Sequence, residues 1–150
     1  MSELRELYQT VILDHNKSPR NFGSVEDATG SASGHNPLCG DEIEVTLRVA
    51  DGIVEDVRFE GSGCAISTAS ASIMTQALKN KTVEAANALF DDFHAMVTAP
   101  VDQPVDPEAL GKLAVFAGVR EFPVRIKCAT LAWHTLQNAL EGTSHVAKTE

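Results

Sequence analysis

The sequence has few cysteines, no long apolar run and no excess of positive charge, and each absence excludes a class of protein. Only three cysteines occur in 150 residues, and an odd, widely spaced set of this size does not form a disulfide framework. In a reducing compartment, spaced cysteines more often serve metal binding or thiol chemistry, so we expect a cytoplasmic protein.

The charge balance is acidic, with 21 aspartates and glutamates, 12 lysines and arginines, and a formal net charge of −9. This excess repels phosphate backbones and anionic membrane surfaces, so we expect neither nucleic acid nor a membrane as a partner. No apolar run approaches the length of a membrane span, and the N-terminal residues lack the apolar region of a signal peptide. The composition predicts a soluble globular protein.

The first half of the chain predicts a helix followed by a small sheet. The length predicts a single domain covering residues 1–150, without internal repeats. An apolar stripe over Glu3–His15 predicts the first helix. Apolar and charged residues alternate over Glu42–Glu60, which predicts two strands joined by a turn at Asp51-Gly52. We expect a loop between the helix and this hairpin, and Cys64–Ser67 is a candidate for a short third strand.

Helical patterns dominate the second half of the chain. The predicted helices cover Ser67–Leu78, a segment capped by Thr82, a short stretch near Leu110–Ala117, and a last helix from near Pro123 to Leu140. A proline-rich connection lies at Ala99–Pro107, and the tail after Gly142 is expected to fray. The predicted fold class is therefore α+β, with a small antiparallel three-stranded sheet packed against helices.

Three short motifs carry residues suited to metal or thiol chemistry. Cys39 and Asp41 lie two residues apart in a turn-rich segment before the predicted hairpin. Cys64 follows two closely spaced glycines, and Cys128 lies in the first turns of the last predicted helix. Taken singly, each cysteine also fits a packed structural position, because a free cysteine behaves as a small hydrophobic residue. We expect the five histidines, including His15, at the surface or on helix flanks.

Together, three thiolates and one carboxylate form the donor set of a tetrahedral site for a soft metal. Such donors select zinc or iron–sulfur chemistry over magnesium or calcium. The spacing is not that of a zinc ribbon, so the donors must converge from a loop, a strand end and a helix start. The positive end of the last helix and Arg125, which lies one turn before Cys128, both favour the thiolate form of Cys128.

Three segments in order, Cys39–Asp41, Gly63–Ser67 and Arg125–Leu131, resemble motifs of the IscU/SufU family of iron–sulfur cluster assembly proteins. The similarity runs from the first helix to the last and implies the SufE/IscU-like fold. Two departures from IscU scaffolds indicate the SufU branch. Lys127 stands where IscU proteins have a histidine, and Glu121–Arg125 replaces their Leu-Pro-Pro-Val-Lys chaperone-docking motif. The 64 positions from the second to the third cysteine, a longer gap than in IscU, indicate the same branch.

The resemblance implies a zinc-dependent sulfur carrier with sulfurtransferase-type activity. Zinc would be bound by Cys39, Asp41, Cys64 and Cys128, and Cys39 would accept persulfide sulfur from a PLP-dependent cysteine desulfurase of the SufS type. Arg125 would steady the thiolate of Cys39 or Cys128, and downstream iron–sulfur assembly proteins would receive the sulfur. Two alternatives stay open: a scaffold that holds iron or a [2Fe–2S] cluster on the same residues, and an adaptor in which zinc is purely structural.

Overall fold

The computed structural model describes residues 2–37, 40–104, 110–141 and 147–148 of the chain. Its elements are, in order, α1 (Ser2–Lys17), β1 (Gly30–Asn36), β2 (Asp41–Ala50), β3 (Ile53–Ser62), α2 (Ala65–Leu78), α3 (Val83–Thr98), a 3₁₀ helix (Gly111–Glu121), α4 (Pro123–Glu141) and β4 (Ala147–Lys148). None of the described helices is long and apolar enough to cross a bilayer.

The sheet has the strand order β3-β2-β1-β4. The strands β1, β2 and β3 pair antiparallel, and the two residues of β4 pair parallel to β1. The predicted α+β fold with a three-stranded antiparallel sheet is therefore confirmed, but the predicted position of the third strand was wrong. The third strand is β1, and Cys64–Ser67 instead forms the start of a helix. The sequence of β1 is Gly-Ser-Ala-Ser-Gly-His-Asn, so this strand lacks the large apolar residues that reveal a strand in a sequence.

The hairpin of β2 and β3 follows the sequence pattern closely. Asp51 and Gly52 both have positive φ angles, 54° and 75°, as the two-residue turn that matches strand twist requires. Alternate side chains of both strands enter one core with the helices. The largest fully buried side chains include Trp133, Phe93, Phe116, Leu47, Ile73 and Met74.

Two glycines of β1 allow α4 to lie directly against the sheet. A Cβ atom at Gly34 would collide with the Thr135 hydroxyl, and one at Gly30 would collide with the Ala139 carbonyl. Side chains larger than hydrogen would therefore force α4 away from β1. This close approach fixes the position of the first turns of α4, which carry Cys128, relative to the end of β1.

Several smaller predictions need correction. The short helix near Leu110 is a 3₁₀ helix that continues past Gly118 to Glu121. Part of the tail forms β4, although a frayed end was expected. His15 is not a surface residue: it is 1% exposed, and its Nδ1 lies 2.7 Å from the Ser72 hydroxyl of α2. The last three residues of the predicted proline-rich connection, 105–107, lie outside the described residues.

Candidate metal centre

Three elements bring their ends together at one corner of the sheet. Asp41 is the first residue of β2, Cys64 immediately precedes α2, and Cys128 lies in the second turn of α4. The hairpin register pairs Glu42 with Ser62, so the start of β2 lies beside the end of β3 and the entry to α2. One donor atom from each of Asp41, Cys64 and Cys128 lies within 4.8 Å of the other two.

The Asp41 carboxylate is held in place by the residues around Cys64. It is fully buried, its Oδ1 accepts the Cys64 backbone N–H at 2.8 Å, and its Oδ2 lies 3.8 Å from the Cys64 sulfur. A Cβ atom at Gly63 would lie 2.8 Å from Oδ1, which is too close for an undisturbed carboxylate. Position 63 is therefore restricted to glycine, because the Asp41 carboxylate occupies the space that a side chain there would need.

Cys64 also serves as the N-cap of α2. Its backbone is extended, and its sulfur accepts the Ser67 N–H at 3.4 Å, as a serine or aspartate oxygen does at other helix starts. The Cys128 thiol, which donates a hydrogen bond, lowers the pKa of Cys64 to about 7 from an ordinary 9.0. Backbone N–H groups act in the same direction, whereas burial and the Asp41 charge oppose them. The surroundings of Cys64 therefore favour its thiolate form.

Cys128 is the more enclosed of the two described thiols. It is 2% exposed, and the side-chain amide of Asn36 donates to it with an Nδ2–Sγ distance of 3.7 Å. Asn36 is the last residue of β1 and pairs in the ladder with Asp41. No sequence signal marks Asn36, because β1 lacks the large apolar residues that reveal a strand. Once β1 is known, the alternation of buried Ala32, Gly34 and Asn36 identifies it.

The donor set fits a tetrahedral metal ion. Zinc bonds of about 2.3 Å to sulfur and about 2.1 Å to a carboxylate oxygen imply separations of roughly 3.8 Å between two sulfurs and roughly 3.6 Å between sulfur and oxygen in a tetrahedron. The Cys64–Asp41 separation of 3.8 Å agrees with this, and the other donor pairs lie within 4.8 Å. Two soft sulfurs and one carboxylate oxygen favour zinc or iron over magnesium or calcium. The fourth predicted ligand, Cys39, lies outside the described residues, and the ligand role of all four stays a prediction.

A groove of about 590 Å³ runs beside the two thiols. Its walls are almost wholly apolar. They are formed by the two cysteines and by residues at the start of α2 and around the start of α4: Cys64, Ala65, Ile66, Phe122, Pro123, Val124, Arg125 and Cys128. The exposed Arg125 lies with its guanidinium carbon 4.3 Å from the centre of the Phe122 ring. The structure thus places Arg125 on the rim of the groove, and its predicted role in steadying a thiolate stays a prediction.

Comparison with known proteins identifies the family. A family profile described as the NifU-like N-terminal domain matches residues 7–129. The chain belongs to this family. The matched range of the NifU-like N-terminal domain includes all three cysteines, and the expected membership of the IscU/SufU group is confirmed.

Two curated relatives of the NifU-like chain carry different functional names. The zinc-dependent sulfurtransferase SufU of Bacillus subtilis is 44% identical over 140 residues, covering 93% of this chain and 92% of that protein. The iron–sulfur cluster assembly scaffold protein IscU of Streptococcus pyogenes is 42% identical over 145 residues, covering 97% and 89%. The chain is therefore nearly equally similar to a protein named as a sulfurtransferase and to a protein named as a scaffold.

A solved structure supports the fold of this NifU-like domain. It is a candidate iron–sulfur cluster assembly scaffold protein for the SUF system from Fervidobacterium islandicum. It superposes with a TM-score of 0.80 at 33% identity and covers 90% of this chain and 97% of its own.

Proposed function

We propose that this protein is a zinc-dependent sulfur carrier in iron–sulfur cluster assembly, with Cys39 as the sulfur acceptor. The observation that carries the proposal is the convergence of Asp41, Cys64 and Cys128, whose donor atoms lie within 4.8 Å of one another at the edge of an apolar groove. The 44% identity to a protein named as a zinc-dependent sulfurtransferase supports the same function.

Zinc would be held by Asp41, Cys64, Cys128 and Cys39. When bound, it supplies a charge that keeps its cysteine ligands deprotonated at neutral pH. The chain contributes the geometry: Asp41 is fixed by the Cys64 N–H, Cys64 is fixed as the cap of α2, and Cys128 is buried in the second turn of α4. Cys39 belongs to the segment between β1 and β2 and is the ligand that leaves to react.

The sulfur transfer is a thiolate exchange at a persulfide. The Cys39 thiolate attacks the outer sulfur of the persulfide on the desulfurase, and a new sulfur–sulfur bond forms while the old one breaks. The desulfurase cysteine leaves as a thiolate and Cys39 becomes the persulfide. One sulfur–sulfur bond replaces another, so the transfer needs no external oxidant or reductant. Arg125, on the rim of the groove, would stabilise the negative charge of the reacting thiolate.

The proposed partner is a PLP-dependent cysteine desulfurase of the SufS type. An exposed apolar surface beside the thiols is suited to protein contact, because Phe122 and Val124 are both largely exposed next to the groove. Downstream iron–sulfur assembly proteins would take the sulfur from Cys39. The proposal includes a reducing cytoplasm, where free thiols persist.

The decisive experiment compares Cys39→Ala with Asp41→Ala. With a cysteine desulfurase and free cysteine as the substrate, we expect the wild-type chain to gain one sulfur atom on Cys39 and to stimulate desulfurase turnover. Cys39→Ala should show neither effect. Asp41→Ala removes a predicted metal ligand but keeps the acceptor, so it reports the effect of a weakened metal site alone. Full stimulation by Cys39→Ala would contradict the acceptor assignment.

The second candidate function is a scaffold for cluster assembly, and the 42% identity to a protein named IscU favours it. In that case iron and sulfide are cargo, and the same four side chains would hold a [2Fe–2S] cluster. Anaerobic reconstitution followed by visible absorption separates the two functions. A cluster that forms stoichiometrically and passes intact to an acceptor protein would support the scaffold. Zinc that persists through purification, together with sulfur transfer, would support the carrier.

A further inference from the structure

We infer that Asn36 is a positioning residue that keeps Cys128 as the fixed and least reactive thiolate of the metal centre. By doing so it directs sulfur uptake to another cysteine. This inference rests on the proposed function, because it concerns how one of several zinc-bound thiolates is selected as the acceptor.

The first argument is the burial of the Asn36 amide. The residue is 0% exposed, and its Nδ2 lies 3.7 Å from the Cys128 sulfur. A fully buried amide is costly unless its donors and acceptors are used, and an apolar side chain of similar size would fill the same space without that requirement. With zinc bound, Cys128 would be a thiolate, which can only accept a hydrogen bond, so in this contact the Asn36 amide N–H donates to the sulfur. Donation to the Cys128 sulfur therefore satisfies one of the polar groups of this buried amide.

The second argument is the rigidity of the surrounding backbone. Asn36 pairs with Asp41 in the β1–β2 ladder, and two positions earlier Gly34 packs against Thr135 of α4. Both the strand that carries the donor and the helix that carries Cys128 are thus fixed relative to each other. Asn36 and Asp41 flank the four residues that include Cys39. The donor is therefore anchored although it adjoins the segment of the proposed acceptor.

The third argument is the contrast between the two described thiols. Cys64 is half-buried and accepts a backbone N–H, whereas Cys128 is 2% exposed and accepts a side-chain N–H from another element. Donation to a thiolate withdraws electron density from the sulfur, which lowers its nucleophilicity while leaving it able to bind a metal. Burial adds steric protection. Cys128 is accordingly the thiolate least suited to attack a persulfide.

The test is Asn36→Leu, which keeps the approximate volume and removes the donor. Zinc-loaded protein is treated with iodoacetamide at fixed pH, and the modification rate of each cysteine is measured by mass spectrometry of its peptide. We expect Cys128 to be the slowest cysteine in the wild type and to react about tenfold faster in Asn36→Leu, the lower end of the effect that loss of an outer-shell partner has on metal affinity or activity. Asn36→Ala serves if the leucine variant does not fold.

The control is Thr46→Val, which removes a different buried hydrogen bond of the same sheet, from the Val25 N–H at 2.9 Å. It should leave the Cys128 rate unchanged. Cobalt-substituted protein gives a second readout. The sulfur-to-cobalt charge-transfer band should move to lower energy in Asn36→Leu but not in Thr46→Val, because an undonated thiolate is the stronger electron donor.

The outcomes separate this inference from the proposed function. Equal Cys128 rates in wild type and Asn36→Leu, or an equal acceleration in Thr46→Val, would overturn the role of Asn36 alone. A wild-type chain that takes up no zinc would overturn the proposed function and, with it, this inference. Zinc uptake is measured first for that reason.

Discussion

Single atoms decide whether the metal centre can form, and Gly63 is the plainest example. The Asp41 carboxylate occupies the space that a side chain at position 63 would need, with Oδ1 2.8 Å from the Cβ position. The glycine does not have a positive φ angle, so its requirement comes from this space and not from backbone conformation. Adding one methyl group at position 63 should therefore displace the Asp41 carboxylate.

We predict that Gly63→Ala weakens zinc binding about tenfold or more, since outer-shell disturbance of a ligand has effects of that size. The reason is that Asp41 must move away from Cys64. Zinc affinity is measured by competition with a chromophoric chelator. Gly52→Ala is the control. It strains the backbone of a glycine with a φ of 75°, but its added methyl group would contact nothing, and the turn lies at the end of the hairpin away from Asp41. Equal affinities in wild type and Gly63→Ala would contradict the steric argument.

His15 is a buried titratable residue at the contact between α1 and α2. Its Nδ1 bonds to the Ser72 hydroxyl, and its Nε2 has no hydrogen-bond partner among the residues that the structure describes. Burial lowers the pKa of His15, and the charges of Arg20 and Lys112 act in the same direction, against a smaller effect of Asp14. The unfolded chain therefore binds a proton at a higher pH than the folded chain does.

We predict that the free energy of unfolding falls as the pH falls below about 6.5, the ordinary His pKa, because protonation favours the unfolded chain there. His15→Asn keeps a hydrogen-bonding group near Ser72 and cannot titrate. It should be less stable than wild type by roughly 1–2 kcal/mol at pH 7.5 but lose less stability on acidification. Denaturant unfolding at several pH values measures both. Parallel pH profiles would show that another group is responsible.

At the scale of elements, the start of α2 combines a helix cap and a proposed metal ligand in one side chain. The Cys64 sulfur accepts the Ser67 N–H, and the Cys64 backbone N–H binds Asp41. Serine is a preferred cap residue but not a soft ligand, and alanine is neither. Two substitutions at this one position therefore separate the two roles.

We predict that, without metal, Cys64→Ser is as stable as wild type, whereas Cys64→Ala is less stable by about 1 kcal/mol through loss of the cap. Both variants should bind zinc much more weakly than wild type does. Chemical denaturation in the presence of a chelator gives the stabilities, and zinc titration gives the affinities. If the two variants were equally stable, the capping role of the sulfur would be wrong.

For the whole molecule, the core and the metal centre are separate. The core is formed by the sheet face and the helices around Trp133, Phe93 and Phe116, all fully buried. The donor residues lie where β2, α2 and α4 begin, at one corner of this core. We therefore expect the fold to persist without a bound ion, in contrast to small zinc domains that lack a core.

We predict that the chelator-treated protein stays folded and unfolds cooperatively, while zinc raises its melting temperature. A ligand that binds only the folded state at 100 times its dissociation constant stabilises by about 2.7 kcal/mol. Circular dichroism during heating, with zinc or with a chelator, measures both effects. Unfolding on removal of zinc at room temperature would instead support the structural adaptor that the sequence left open.

The helices and the β2–β3 hairpin were predictable because their patterns are local. The Asp51-Gly52 turn, the Thr82 cap of α3 and the apolar stripe of α4 each lie within a few residues of the elements they define. The strand β1 was missed because its buried positions are Ala32, Gly34 and Asn36, which carry no hydrophobic signal. His15 was misplaced for a related reason: a local pattern does not show what packs against a residue.

The sequence by itself determined which side chains are candidate donors: three cysteine sulfurs and one carboxylate in turn and element-end positions, of which the structure describes Asp41, Cys64 and Cys128. Only the tertiary structure decided that Asp41, Cys64 and Cys128 lie within 4.8 Å of one another and that Asn36 donates to one of them. The physical reason is distance along the chain. Periodicity reports which face of an element is buried, whereas the pairing of β1 with β2 and its contact with α4 across glycines determine which buried faces meet.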